Sequence, residues 1–146
     1  MSRMIFINLP VTDLERSKAF YTALGAVNEP KFSNESAAMM KFSDEIAVML
    51  LTHDFYRTFT GKPIADAQAT SQVLLCISCD GRAEVDRMVE AAAGNGGQAD
   101  PGPKQEMGDM MYGRSFADPD GHHWEPMWMD ASAAEGGAAA LETVDA

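Results

Sequence analysis

The spacing of apolar residues along the chain changes between two periods, and each period predicts one kind of element. Residues 4–9 form a short apolar run closed by Pro10, which predicts a strand. Beyond it, apolar residues recur every three or four positions between Asp13 and Gly25, which predicts a helix. Asp13 is typical of a helix N-cap, and Gly25 is typical of the residue that ends a helix. Further apolar runs predict three strands, at residues 28–32, 37–42 and 46–52. The first third of the chain therefore has the order β-α-β-β-β.

The second half of the chain repeats this order. A strand is predicted at residues 72–79 and a helix at residues 82–93, which Gly94 ends. Asp13 and Asp80 are separated in sequence by nearly as many residues as Gly25 and Gly94. The predicted helices of the two halves therefore begin and end at matching positions. The predicted strands that follow are residues 97–100, 110–116 and 122–129. We therefore predict two tandem units, residues 4–52 and 71–129, within a single domain that spans residues 1–130.

Two segments fall outside these units. Residues 53–70 are a long connection with one turn of helix, and its aromatic residues indicate either a lid over a binding site or a contact between subunits. From residue 131 the composition falls to Ala, Gly, Ser and acids, so little apolar area offsets the cost of ordering. We predict a flexible acidic tail over residues 131–146, with a helix around Gly137–Thr143 as the alternative.

Charge and composition exclude several classes of function. The chain has 146 residues, and 22 Asp and Glu against 11 Lys and Arg give a formal net charge of −11. Nucleic acids and anionic membranes are therefore not expected partners, since binding them needs clustered bases. The sequence has neither a run long enough to cross a membrane nor a signal-peptide pattern, and it contains 2 Cys. We predict a cytoplasmic protein.

Two motifs resemble those of a known superfamily. Residues 11–21 (VTDLERSKAFY) and 116–122 (FADPDGH), set in tandem β-α-β-β-β units, resemble the vicinal oxygen chelate superfamily. That superfamily includes glyoxalase I, bleomycin-resistance proteins and extradiol dioxygenases. Residues 8–11 and 111–116, with Trp124 and Glu125, are similar to a bacterial subgroup described as predicted lactoylglutathione lyases. The resemblance covers residues 4–129. It implies an α+β fold in which two mixed sheets curl into open half-barrels around a cleft, with the helices outside.

The resemblance also implies where a catalytic metal would bind. In metal-dependent members the ligands lie on the first and last strands of each unit, which correspond here to Phe6, Leu50, Leu74 and Glu125. Of these side chains, only the Glu125 carboxylate is a ligand, and Zn²⁺, Ni²⁺ or Fe²⁺ would need at least two more. We therefore favour no cofactor. A divalent metal held with the help of His53 or His123 is the alternative.

Glu125 is the candidate catalytic residue. Its neighbours Trp124 and Trp128 predict an apolar surrounding that raises the pKa of the carboxylate, which suits a general base or acid. A structural pairing with Arg114 is equally open. Strand alternation places His123 on the same face as Glu125, as part of a metal site, as an acid–base partner or as a simple hydrogen-bonding residue.

The remaining candidates line the expected cleft. Cys76 and Cys79 have C-x-x-C spacing, but three residues along a strand point to opposite faces, which rules out a disulfide or a shared metal. The 11 Met indicate an adaptable apolar interior. The residues expected to bind a ligand are Phe6, Asn8, Leu50, Leu74, Cys76, Tyr112, Arg114 and His123.

Three functions follow from these observations. We predict a homodimer that binds a small, largely apolar or aromatic molecule in its sheet cleft. The alternative is a metal-dependent, glyoxalase-like lyase or isomerase, or a dioxygenase, with Glu125 as ligand or base. The third function is a purely structural or protein-binding role, which no motif in the sequence indicates.

Overall fold

A computed structural model describes residues 2–137, and these residues form two compact units. The first unit comprises residues 2–70 and 118–122, and the second comprises residues 71–117 and 123–137. Each unit has a sheet with one long helix packed on it, so the predicted α+β class with tandem units is confirmed. No helix in residues 2–137 is both long and apolar enough to cross a membrane.

In the first unit the sheet has the strand order β1-β4-β3-β2. Its elements are β1 (Ile5–Val11), α1 (Leu14–Ala23), β2 (Val27–Glu29), β3 (Ala37–Lys41), β4 (Ile46–Thr52) and α2 (His53–Tyr56). Strands β1 and β4 are parallel and the other neighbours are antiparallel, which makes the sheet mixed. Asp13 caps α1 as predicted, accepting a hydrogen bond from the backbone of Arg16. The strand predicted to reach residue 32 ends at Glu29, because Pro30 starts a short 3₁₀ turn.

In the second unit the long strand β10 organises the sheet. The elements are β5 (Leu75–Ser78), α3 (Arg82–Gly94), β6 (Gln98–Ala99), β7 (Gln105–Met107), β8 (Met111–Gly113), β9 (Phe116–Ala117) and β10 (His123–Met129). Strand β10 runs parallel to β5 and antiparallel to β8 and β9. The strand predicted over residues 110–116 is thus divided in two at Arg114 and Ser115. Strand β7, in the proline-containing segment, was not predicted.

The first residues of the predicted tail are helical. Residues 131–137 form a helix whose first turn is capped by Asp130, which accepts a hydrogen bond from the backbone N–H of Ser132 at 3.0 Å. Ala133 is fully buried. Residues 131–137 of the predicted flexible tail are therefore helical, since a cap and a buried methyl group offset part of the ordering cost. Most of the alternative helix, around Gly137–Thr143, lies outside the described residues.

The turn at residues 118–122, which we call the Asp118 turn, belongs to the first unit. One Asp118 carboxylate oxygen accepts hydrogen bonds from the backbone N–H groups of Asp120 and His122, at 3.0 and 2.9 Å. The other accepts a hydrogen bond from the hydroxyl of Tyr21, on α1, at 2.7 Å. Only 2% of Asp118 is exposed. The carboxylate thus holds the turn and ties it to α1.

Burial raises the pKa of Asp118, although nearby His122 and the hydrogen bond from Tyr21 oppose the shift. As pH rises through about 4, the Asp118 carboxyl group therefore loses its proton in the unfolded chain before it does so in the folded chain. Between these two pKa values the folded state loses stability as pH rises. Asp118→Asn has no proton to lose. We expect the stability of Asp118→Asn relative to the wild type to improve as pH rises from about 4 to 7, measured by urea denaturation at each pH.

Asp44→Asn is the control for this experiment, because the Asp44 side chain is 94% exposed. Its stability difference from the wild type should stay flat over the same range. A flat difference for Asp118→Asn as well would contradict the role of burial.

Candidate functional site

The second unit places the main candidate residues on one face of its sheet. Along β10, Trp124 and Pro126 are buried, whereas His123 and Glu125 point to the opposite face, which we call the open face. Cys76 of β5 is registered beside Glu125 on the parallel neighbour strand and is exposed. The structure therefore brings His123 and Glu125 together, as strand alternation predicted, and the register of β5 adds Cys76 beside them.

His123 and Glu125 form the centre of this face. The Nε2 atom of His123 lies 3.7 Å from a carboxylate oxygen of Glu125. This nitrogen is buried and has no hydrogen-bond partner among the described residues. Gly102 lies against the ring, since a Cβ at Gly102 would stand 3.4 Å from Cε1 of His123. A buried ring nitrogen without a partner leaves one hydrogen-bonding position of the ring unfilled.

The surroundings of Glu125 differ from the prediction. Its side chain remains 36% exposed, so the apolar surroundings predicted for the carboxylate enclose it only in part. The reason is strand alternation: Trp124 and Trp128, expected to cover Glu125, lie on the other face. There the guanidinium of Arg82, on α3, stands 5.8 Å from the Trp128 ring. The predicted pairing of Glu125 with Arg114 does not occur either.

Tyr112 and Arg114 also lie on the helix side of the sheet, away from Glu125. The Tyr112 hydroxyl donates to Asp86 of α3 at 2.6 Å, and Arg114 donates to the same oxygen at 2.9 Å. Arg114 donates two more hydrogen bonds to Asp100, at 3.0 and 2.6 Å. Both side chains therefore have partners within the fold, and ligand binding by Tyr112 and Arg114 stays a prediction. They join α3 and the loop before β7 to the sheet.

This network shifts the pKa of each of its members. The hydrogen bonds from Tyr112 and Arg114 lower the pKa of Asp86, and the bond from Arg114 lowers that of Asp100. Burial and the bond to Asp86 raise the pKa of Tyr112, and the bonds to Asp100 and Asp86 raise that of Arg114. All four shifts favour the ion pairs and the neutral phenol. The network is therefore structural and stays charged at neutral pH.

The first unit separates its predicted site residues. Phe6 and Asn8 point to one face of the sheet, and Phe6 is 49% exposed. Leu50 is registered beside Leu9 and is fully buried on the opposite face. Its placement with Phe6 is therefore wrong by one residue, which in a strand reverses the face. Met49, registered beside Asn8, takes the position predicted for Leu50.

The last candidates lie in β5 and directly before it. Leu74 precedes the strand and is 54% exposed. Cys76 is exposed, whereas Cys79 is buried, and both thiols are free, consistent with their predicted opposite faces. Partial burial of its sulfur and the charge of Glu125 raise the pKa of Cys76, and burial with nearby acids raises that of Cys79 to about 11. Neither cysteine is therefore a ready nucleophile or thiolate ligand.

A metal centre needs at least three protein ligands, and the described residues do not supply them. Across residues 2–137, no three side chains of His, Cys, Asp or Glu come together in a way that could hold a metal ion. On the open face of the second unit, His123 and Glu125 are two donors, and the neighbouring Cys76 thiol is held protonated. These residues do not fit a catalytic metal by themselves.

Comparison with known proteins places the chain among related folds. The family model of the Glyoxalase/Bleomycin resistance protein/Dioxygenase superfamily matches residues 3–125. A hypothetical protein from S. aureus is 25% identical, with a TM-score of 0.71, over 88% of this chain and 94% of its own. A family enzyme from Burkholderia phytofirmans is 14% identical, with a TM-score of 0.71, over 88% of this chain and 100% of its own.

A third similar structure is the fosfomycin resistance protein FosX from Mesorhizobium loti. It is 17% identical, with a TM-score of 0.63, and the match covers 94% of this chain and 99% of that one. No curated protein matches the chain. Identities this low show the fold and leave the chemistry to the residues of the site.

Proposed function

Because the chain belongs to the glyoxalase/bleomycin resistance protein/dioxygenase superfamily, we propose that it binds a small, largely apolar or aromatic molecule on the open face of the second unit. The observation that carries this proposal is the buried, unpartnered Nε2 of His123, 3.7 Å from the Glu125 carboxylate. A buried polar atom without a partner costs free energy that a bound polar group would recover. The pair therefore marks where the polar end of a ligand would lie.

The residues around His123 and Glu125 indicate the chemistry of the remaining part of the ligand. Met127 follows Glu125 on the same face and is registered beside Gly113, where an added Cβ would stand 3.4 Å from the Cβ of Met127. Methionine adapts to varied apolar shapes. A hydroxyl group on an apolar or aromatic body fits this arrangement, because it can donate to Glu125 while accepting from His123 in its Nε2–H form.

Catalysis with Glu125 is the second candidate function. The same 3.7 Å pair could supply a base with its proton partner, or two ligands of a metal-dependent, glyoxalase-like lyase, isomerase or dioxygenase. A metal would need further ligands that residues 2–137 do not bring to the pair. We therefore favour binding without a metal.

We also propose that the protein works as a homodimer. Strand β1 is an edge of its sheet, and its residues Ile5 and Phe6 are 54% and 49% exposed. Val73 and Leu74, next to the edge strand β5, are each 54% exposed. A second copy would remove this apolar area from water. The two free thiols support a cytoplasmic location. The acidic composition supports a small-molecule partner and not a nucleic acid or a membrane.

Metal analysis and ligand screening together test the proposed function. After incubation with Ni²⁺, Zn²⁺, Mn²⁺ and Fe²⁺, we expect less than stoichiometric metal in the wild type, measured by mass spectrometry. In a thermal-shift screen of phenols, aromatic alcohols and aliphatic alcohols, we expect compounds that raise the Tm of the wild type. A ligand at about 100 times its Kd adds about 2.7 kcal/mol of stability. Glu125→Gln should lose most of this gain.

Glu90→Gln is the matched control, because Glu90 is exposed on α3 and remote in sequence from the open face. It should respond to ligands like the wild type. Stoichiometric metal that disappears in Glu125→Gln would overturn binding without a metal and favour the lyase, isomerase or dioxygenase. A Tm gain that Glu125→Gln keeps would place the ligand elsewhere.

A further inference from the structure

The first unit contains a cavity that the proposed function does not use. It has a volume of about 520 Å³ and lies where the parallel strands β1 and β4 end. Pro10 and Thr12 line it from the end of β1, and His53 and Arg57 line it from α2 and its C-cap. Residues 63–67 and the Asp118 turn complete the walls. Cavities of this size hold small organic molecules.

Specific hydrogen bonds hold the walls in place. Asp120 accepts hydrogen bonds from the backbone N–H and the hydroxyl of Thr12, at 3.0 and 2.7 Å. The Nε2 atom of His122 donates a hydrogen bond to the carbonyl oxygen of Pro10 at 2.8 Å. Gln68, next to the segment 63–67, donates from its side-chain amide to the carbonyl of Pro119 at 3.0 Å. The cavity is thus formed before any ligand arrives, which reduces the cost of binding.

Both signs of charge face this cavity. His53 and Arg57 are four residues apart in a helical turn, shown by the hydrogen bond from the Arg57 backbone to the His53 carbonyl, so both side chains lie on one side. Arg57 pairs with Asp54 at 3.2 Å, but the Asp54 side chain is fully exposed, so water screens this pair strongly. Arg57 therefore remains available to a carboxylate.

The acidic side of the cavity is Asp66. One of its carboxylate oxygens accepts a hydrogen bond from the backbone of Gln68 at 2.9 Å, which fixes the side chain without neutralising it. Asp120 is already engaged by Thr12 and lies 3.7 Å from Arg16. Asp66 is thus the carboxylate of this cavity that can pair with a ligand ammonium group.

We propose that this cavity binds a small zwitterion, with its carboxylate at Arg57 and His53 and its ammonium group at Asp66. The apolar wall formed by Pro63, Ile64 and Ala65 would cover the side chain of such a molecule. A zwitterion carries no net charge, so the net charge of −11 does not repel it as it would a simple anion. An α-amino acid is the simplest molecule with this arrangement of groups.

Three compounds of nearly the same shape test this assignment. Phenylalanine has both charged groups, 3-phenylpropanoate lacks the ammonium group, and 2-phenylethylamine lacks the carboxylate. By titration calorimetry on the full chain at pH 7, we expect phenylalanine to bind at least about tenfold more tightly than either analogue, the size of one lost charged hydrogen bond. Arg57→Gln and Asp66→Asn should each weaken phenylalanine binding by about tenfold.

Two variants serve as controls for the cavity. Lys62→Gln removes an exposed cation from the same connection without touching the lining, and Asp44→Asn removes an exposed carboxylate. Both should bind phenylalanine like the wild type, as should Glu125→Gln, so the result is independent of the open face of the second unit. Equal affinity for phenylalanine and 3-phenylpropanoate would overturn the zwitterion in favour of an anion site. Absence of phenylalanine binding, or binding that Arg57→Gln and Asp66→Asn leave unchanged, would overturn the proposal itself.

Discussion

Gly121→Ala is expected to destabilise the protein by about 3–5 kcal/mol, since it combines overpacking with backbone strain. A Cβ at Gly121 would lie 2.7 Å from the backbone nitrogen of Gln68 and 2.8 Å from the carbonyl carbon and oxygen of Ala67. Gly121 also has a φ of +94°, which L side chains rarely adopt. Because the obstacles are backbone atoms, the Asp118 turn or the neighbouring segment must move. Urea denaturation of both proteins measures the loss.

Gly25→Ala separates the two causes. Gly25 has a φ of +102°, but a Cβ there would meet nothing within 4 Å. Only the strain remains, and we expect a loss of about 1–2 kcal/mol. If Gly121→Ala cost no more than Gly25→Ala, the close approach of the turn to Ala67 and Gln68 would be refuted.

Arg114→Met should cost about 2–3 kcal/mol of stability at pH 7 and leave the open face intact. The change removes three hydrogen bonds and leaves Asp86 and Asp100 without their shared cation. The two carboxylates are 42% and 40% exposed, which places the loss below that of a fully buried pair. Methionine keeps the length and packing of the arginine stem.

The loss in Arg114→Met should depend on pH with a defined sign. Arg114 lowers the pKa of both carboxyl groups in the folded state, so its stabilisation is present above the unfolded pKa of about 3.9 and disappears as pH falls through the lower folded values. The deficit should therefore shrink below pH about 4. Arg57→Met, which removes an exposed pair, should change stability by less than about 0.5 kcal/mol. A deficit in Arg114→Met that is the same at every pH would argue against the network.

Much of the fold could be predicted because it depends on local pattern. The apolar period located α1 and α3, and Asp13 could be identified as a cap from its position alone. Alternation within one strand was enough to place His123 and Glu125 on one face and to separate Cys76 from Cys79. These predictions need no knowledge of which strands are neighbours.

The errors arose where pairing between strands decides the outcome. Leu50 was placed beside Phe6, but the parallel register joins Leu50 to Leu9 and Met49 to Asn8. A shift of one residue exchanges the two faces, and residues 46–51 of β4 are all apolar, so no alternation with polar residues reveals the shift. Similarly, the hydrogen bonds from Arg114 to Asp86 and Asp100 connect segments that are distant in sequence, and no local sequence pattern predicts them.

The cavity of the first unit was also invisible in the sequence. His53 and Arg57 stand one helical turn apart, which was a signal available in advance. Their partner Asp66 and the Asp118 turn reach the same space only through tertiary contacts. A site assembled from four separate segments leaves no motif with fixed spacing.

The Asp118 turn has a consequence for the order in which the protein folds during synthesis. The first unit is completed by residues that leave the ribosome late: Tyr21 and its acceptor Asp118 are 97 residues apart, and Thr12 and Asp120 are 108 apart. A nascent chain of 70 residues thus has β1, α1 and β4 but lacks the carboxylate that receives the Tyr21 hydroxyl. Contacts this distant close slowly, so the sheet edges and apolar faces of the early chain stay open to other proteins for longer. Chaperone demand should therefore fall only once residues 118–122 have emerged from the ribosome.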